Sequence, residues 1–541
     1  MKPLDVARSL RADPEVAAHY RAAGWWGDAT LSDRVAELAT TRPERTAWIT
    51  PEGRFSWGEY DRASTRIAAL IAARGLPAGA RVAVLLPDGP AVHATLLGVE
   101  RAGMVAVGIG ARAGVAEIAH LLKRTGATLI IAHEKMRDRT LAELVEAVRA
   151  LGAPLDDWLA VPDLIARRNW SAGAVPDHPP LPAPDPDALF LINSTSGTTG
   201  MPKCVMHTQN RWYYFHQLAA EAGRFGDDEI FMGAVPMPFG FGLWTAHFSP
   251  AILACPTVVL PKFDAGIALD MIERERVTVL CCVSTQFIML LNEQAERPRD
   301  LSSLKCMFTG GEAVPYRRAA EFEEVTGAAV LQFYGSNETG ALSRTTAADT
   351  RDRRLNTAGQ VIPEMEVRLF DPATGEEVQG SGQPGCRGPA LCLGYWDDDE
   401  ANAKLFTPDG WMLMGDIVDI DAEDYLRVVG RTSEFIIRGG KNLSAPAIEA
   451  EVATHPAVAL VAAVPAPDAV FGERVCIYVT PRPDHEVTLE AITSHLRTRG
   501  VSREWFPEYL VLMDDLPRSS GGKVAKGELA ADAKKRWAVP A

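Results

Sequence analysis

Residues 193–203 read Asn-Ser-Thr-Ser-Gly-Thr-Thr-Gly-Met-Pro-Lys and follow directly on the apolar run 188–192. From Ser194 through Thr195, Ser196, Gly197, Thr198 and Thr199 to Gly200, every residue is Ser, Thr or Gly. Such a loop offers backbone N–H groups with little steric hindrance and adds hydroxyl donors, which suits polyphosphate oxygens. Lys203 adds a mobile positive charge. A flexible linker has the same composition, but a linker does not follow a buried strand and end in a fixed Pro-Lys. The kinase-type phosphate loop is excluded by spacing. Lys203 comes three residues after Gly200, and Cys204 follows it instead of a Ser or Thr that would hold magnesium.

Five later segments carry groups of the same kind. They are Thr309-Gly-Gly-Glu312, Tyr334-Gly-Ser-Asn-Glu338, Trp411-Met-Leu-Met-Gly-Asp416, Gly430-Arg431 and Pro517-Arg-Ser-Ser-Gly-Gly-Lys523. In this order they resemble the motifs of the adenylate-forming superfamily, which includes acyl-CoA synthetases, peptide-synthetase adenylation domains and beetle luciferase. The resemblance spans residues 30–530 and is nearest to aryl-, alicyclic- and short-acyl-CoA ligases.

The resemblance implies ATP and Mg²⁺, with Gly311, Glu312 and Ala313 along the adenine and Tyr334 stacked on it. Gly335, Ser336 and Asn337 belong to the same motif, and Asn337 stands where threonine is usual; its amide would donate to the adenylate phosphate. Glu338 is implied as the metal ligand, and a hard dication among phosphate oxygens favours such a carboxylate. Asp416 would grip the ribose hydroxyls and Arg431 the ribose or phosphate. Lys203, Glu338 and Lys523 form the catalytic set. A lysine bridging the carboxylate and the α-phosphate would stabilise charge that grows in the transition state and hold the reactants in line.

The same likeness implies two half-reactions, with the small C-terminal domain rotating between them. Ser433 falls at the hinge position, where relatives carry a charged residue, and Glu434 is the alternative one residue on. A small residue suits a hinge. Gly439 and Gly440 would line the pantetheine tunnel, although a plain hairpin turn would use the same pair. Coenzyme A is the simplest thiol, and the chain runs from Lys523 only to Ala541, too short for a fused carrier domain. A carrier protein in trans stays open as the acceptor, as does a homodimer, and a non-catalytic nucleotide-binding relative is the third reading.

For the acid, Phe239 takes the place of a usual histidine in the segment Pro236-Met-Pro-Phe-Gly-Phe-Gly and should act as an apolar wall or gate. Trp212, Phe215, Phe241, Val283, Ser284 and Phe333 are the other expected wall positions, with Gly335 at the far side. None is Lys, Arg or Asp, which argues against a second carboxylate or an α-amino group. A compact apolar acid, aromatic, alicyclic or short and branched, fits such a wall.

These residues need a scaffold. Short apolar runs at 82–86, 105–109 and 127–132 alternate with helix-like segments at 91–102 and 115–124, and the pattern recurs with strands at 257–260, 278–283, 304–308 and 329–333. That alternation signals parallel sheet covered by helices. The proline-rich stretch 176–187 reads as an extended connection. After Gly430 a compact α+β unit follows, with helices expected at 445–455 and 489–499 and strands at 457–464, 474–481 and 508–513. The expected architecture is α/β: an N-terminal domain of helix-covered sheets over residues 1–432 and a mobile α+β domain over 433–541.

At 541 residues, with 47% hydrophobic and 23% charged residues, the composition is that of a soluble globular protein. The net charge of −15 argues against a nucleic-acid partner, since no positive field is available to neutralise phosphates. No apolar run approaches the roughly 20 residues of a membrane span, and no signal-peptide core opens the chain. The eight cysteines include no C-x-x-C pair and read as free thiols of a cytoplasmic protein.

Overall fold

A computed structural model describes residues 11–136, 139–194, 201–311, 314–431, 435–438, 441–518 and 524–537. The chain forms two compact units. The first holds the described residues up to 367 together with Cys386–Leu413, and the second holds Arg368–Gly385 and the residues from Met414 onward.

Two large sheets form the framework of the first unit. One runs in the order Cys204–His207, Leu191–Ser194, Val105–Gly108, Arg81–Leu85, Leu129–Ala132, Asp157–Ala160. All its pairings are parallel except the hairpin of Leu191–Ser194 with Cys204–His207, in which Ser194 faces Cys204. The phosphate-loop sequence is therefore the connection of this hairpin. Cys204 is buried in the core between this sheet and its helices, so the departure from glycine at that position is a matter of packing.

The other sheet has nine strands, with Gly340–Arg344, Ala329–Ser336, Cys306–Gly310, Val279–Cys281, Phe231–Gly233 and Thr257–Val259 in succession. From Ala329–Ser336 to Thr257–Val259 the neighbours are parallel, and each of these strands is almost wholly buried. That burial on both faces explains why they read as continuous apolar runs without alternation.

The second unit contains the antiparallel strands Asp416–Ile420 and Leu426–Arg431, and a separate sheet built around Gly472–Pro481. Along Gly472–Pro481, Val475, Ile477 and Val479 join one core with Ile448, Val452, Ile492 and Leu496. Cys476 and Tyr478 point the other way, into a core with Leu529 and Ala533. Period-two alternation thus places the helices Ala445–Val452 and Leu489–Thr498 on one face and Lys526–Arg536 on the other. All eight cysteines are buried and unbridged. Among the described residues no helix is long and apolar enough to cross a membrane.

Candidate active site

The sequence-predicted residues of the first unit gather where the parallel strands of the nine-stranded sheet end, the usual place for ligands in such sheets. Strand Cys306–Gly310 delivers Gly311, whose φ of +76° suits glycine. Its neighbour Ala329–Ser336 carries Phe333 and Tyr334 on opposite faces. One strand therefore separates an aromatic wall from the expected adenine position. A Cβ on Gly335 would come within 1.6 Å of the Gly340 carbonyl oxygen, so the absent side chain is what lets the next strand turn back against it.

The turn beyond that strand is held by Ser336. Its Oγ accepts the backbone N–H groups of Glu338 and Thr339, each at 3.1 Å, and its own N–H donates to Thr339 Oγ1 at 3.0 Å. Glu338 is thereby presented half-buried, and the Tyr395 hydroxyl donates to its Oε1 at 2.7 Å. Lys203 Nζ lies 4.6 Å from the centre of the same tyrosine ring. Burial, and then the Glu338 charge, keep the Tyr395 proton in place far above the usual phenol range.

Tyr395 was not among the residues expected from sequence. It forms an isolated antiparallel bridge with Val205, on the strand that follows the phosphate loop, and its N–H and C=O are both taken by the Asn402 amide at 2.8 Å. The pairing spans nearly two hundred residues of chain, and its only local trace is the Gly394-Tyr-Trp run before a helix.

The donor set fits Mg²⁺. Among the described residues no group of three or more His, Cys, Asp or Glu could hold a metal, so a cation at Glu338 would have to complete its shell with ligands other than a carboxylate cluster. Mg²⁺ is commonly bound by one or two carboxylates, with water and substrate phosphate completing its shell.

Asn337 pairs reciprocally with Asn193: Asn337 Nδ2 donates to Asn193 Oδ1 at 2.7 Å, and Asn193 Nδ2 donates to Asn337 Oδ1 at 3.2 Å. Nearby, the Asp88 carboxylate accepts the Met237 N–H at 2.9 Å and so anchors the Phe239 segment. Burial raises the Asp88 carboxyl to about 7.

The expected acid wall is largely one cluster. Phe215 packs on Phe333 at 5.0 Å and on Trp212 at 6.1 Å between ring centres. The hub is Trp244, which sequence reasoning missed; it lies 5.1 to 5.5 Å from Phe215, Phe241, Phe308 and Phe333. Trp244 sits on the π-helical turn Leu243–Phe248, a distortion frequent at functional sites. Val283 and Ser284 are buried at the end of strand Val279–Cys281, while Phe239 and Phe241 are half-exposed.

In the second unit, Asp416 and Arg431 are directly opposite each other in the antiparallel pair, and Asp416 is buried. Arg518 and Val524 form an isolated bridge on either side of Lys523. Lys523, Ser433, Glu434, Gly439, Gly440, Glu312, Ala313 and the loop from Thr195 to Gly200 lie outside the described residues.

Residues 35–396 match the family model of the AMP-binding enzymes, and residues 447–523 match that of the AMP-binding enzyme C-terminal domain. The chain belongs to the AMP-binding enzyme family. Its relatives include an indoleacetate–CoA ligase of Aromatoleum aromaticum, 31% identical over 92% of this chain and 97% of the relative. A medium-chain fatty-acid–CoA ligase of Escherichia coli is 27% identical over 98% and 94%. Among solved structures, ATP-bound MatB from Rhodopseudomonas palustris superimposes with a TM-score of 0.82 at 26% identity, covering 94% of this chain and all of that one. The large and small domains of these AMP-binding enzymes match the α/β architecture read from the sequence, and the adenylate-forming resemblance holds along nearly the whole chain.

Proposed function

We propose that this AMP-binding enzyme is an ATP-dependent carboxylic acid:CoA ligase, forming acyl-AMP and pyrophosphate and then acyl-CoA and AMP. The observation that carries the reading is the Tyr395 bridge, which keeps a carboxylate, Glu338, and an ammonium group, Lys203, on one ring beside a wall of aromatic side chains. Glu338 would hold Mg²⁺, which when bound neutralises phosphate charge. Lys203 and the loop Ser194–Gly200 would bind the phosphates, and Gly311, Tyr334, Gly335 and Ser336 the adenine. Asp416 and Arg431 would hold the ribose. Lys523 would align the acid carboxylate with the α-phosphate. Rotation at Ser433 would then bring Gly439 and Gly440 to the pantetheine arm.

The acid is a compact apolar carboxylate. Phe215, Trp244 and Phe333 leave an aromatic, uncharged wall. The nearby cation Arg211 uses its guanidinium on the carbonyls of Asn337, Glu338 and Ala390, not on the pocket. A panel of carboxylic acids assayed by CoA-dependent AMP release tests this reading. Aryl and alicyclic acids should give the highest rates, and dicarboxylates or amino acids as best substrates would overturn it.

A further inference from the structure

Behind the Asn193–Asn337 pair lies a buried chain of donors that no sequence motif announced. Arg211 Nη1 lies 2.6 Å from His207 Nδ1, and His207 Nε2 lies 2.7 Å from Asn193 Oδ1. Arg211, His207 and Asn193 are each no more than 1% exposed.

A guanidinium only donates, so His207 Nδ1 must be the bare acceptor and Nε2 must carry the proton. That proton requires an oxygen on the facing side of Asn193, which settles the orientation of the Asn193 amide. Its Nδ2 then donates to Pro238 O at 2.9 Å and to Asn337 Oδ1 at 3.2 Å. Its Oδ1 accepts from His207 and from Asn337 Nδ2, so all four hydrogen-bonding positions of Asn193 are occupied. Asn337 keeps one amide hydrogen without an acceptor among the described residues. Its Oδ1 lies 2.9 Å from where a Cβ on Gly240 would stand, against the segment that carries Phe239.

Arg211 also grips this loop by its backbone. It donates to Asn337 O at 3.0 Å, Glu338 O at 3.3 Å and Ala390 O at 2.8 Å. The Trp212 ring, 4.8 Å away, covers the guanidinium.

We propose that His207 is a positioning residue: locked by Arg211 as the Nε2–H tautomer, it orients the Asn193–Asn337 amide pair so that the last Asn337 N–H serves the carboxylate of the acid substrate. This rests on the acid:CoA ligase reading and adds to it the group that receives the carboxylate. Burial and the Arg211 charge hold His207 well below its ordinary range, so it stays neutral at physiological pH. Burial lowers Arg211 only to about 10, which leaves it charged. A threonine at position 337 has one oxygen and cannot complete the reciprocal pair.

His207→Phe removes both the acceptor and the donor, whereas His207→Gln can accept from Arg211 and donate to Asn193. In acid-dependent exchange of pyrophosphate into ATP, H207F should raise the KM for the acid about 10- to 100-fold, the loss expected for one hydrogen bond to a charged group. The KM for ATP should stay unchanged. H207Q should restore the acid KM to near the wild-type value, with a flat response between pH 6 and 8 in both variants. An unchanged acid KM in folded H207F, or H207Q as impaired as H207F, would overturn the proposal. Nitrogen NMR of the labelled wild-type protein should show His207 protonated at Nε2 alone across that pH range, and a cationic ring or the other tautomer would contradict the relay even if H207F fails to fold. Absence of acid-dependent exchange in the wild type would count against the ligase reading; the tautomer measurement does not depend on it.

Discussion

The Tyr395 hydroxyl donates to Glu338 Oε1 at 2.7 Å, joining two residues that lie 57 positions apart in the chain. The bond holds one oxygen of the carboxylate and leaves the other for a cation. With Lys203 over the same ring, one tyrosine side chain sets the spacing of the two charged groups that flank the phosphates in the proposed reaction.

Tyr395→Phe keeps the ring under Lys203 and removes only the donor. A hydrogen bond to a charged group contributes about 1.5–3 kcal/mol, so the rate of pyrophosphate exchange should fall roughly 10- to 100-fold. Half-saturation by Mg²⁺ should rise with it. A titration of exchange rate against Mg²⁺ that superimposes on the wild-type curve would remove Tyr395 from the site.

Trp244 closes the aromatic cluster, so its size should set the length of acid accepted. Trp244→Leu should shift the kcat/KM ratio of a longer over a shorter acid by at least about tenfold, since each extra methylene in an apolar pocket is discriminated by about 1–3 kcal/mol. The measurement is a homologous series of acids on both proteins. Equal loss for every acid would mean that the tryptophan is core and not wall.

Asp88 gives the protein a pH-dependent element at the acid loop. Its folded carboxyl titrates at about 7, raised by burial against the opposing Met237 N–H and Arg112 charge, while an unfolded Asp titrates at about 3.9. Between these values the folded protein holds a proton that the unfolded chain has lost, so this group lowers stability as pH rises from about 4 to 7. Asp88→Asn keeps the acceptor for Met237 and removes the titration. Thermal unfolding should therefore show a gap in Tm, variant above wild type, that widens across that window and is level above it. A gap independent of pH would contradict the assignment.

Lys523→Ala should abolish formation of the acyl-adenylate while leaving thioester formation from supplied acyl-AMP largely intact. Single-turnover assays of the two half-reactions separate these effects. Equal loss in both would assign the lysine a broader role than aligning the first step.

Much of the scaffold was legible because buried parallel strands announce themselves. The strand expected at 329–333 became Ala329–Ser336, the one expected at 105–109 ends a residue earlier at Gly108, and the one expected at 127–132 begins two residues later at Leu129. Strands Gly340–Arg344 and Asp416–Ile420 were missed. They are short and antiparallel, and Asp416–Ile420 alternates buried with open positions, which weakens the apolar signal. In the site, Tyr334, Asn337 and Glu338 could be named because they share one local motif. Tyr395, Trp244 and His207 could not, since each acquires its meaning from partners on distant segments. Cys204 shows the converse: a departure visible in sequence that the fold absorbs into its core.

The central claim is that the carboxylate is activated through an adenylate. Purified protein with ATP, Mg²⁺ and labelled pyrophosphate should incorporate label into ATP only when an accepted acid is present and without CoA. Added CoA should then yield acyl-CoA and AMP in equal amounts. Acid-dependent formation of ADP and phosphate in place of AMP and pyrophosphate would contradict the account.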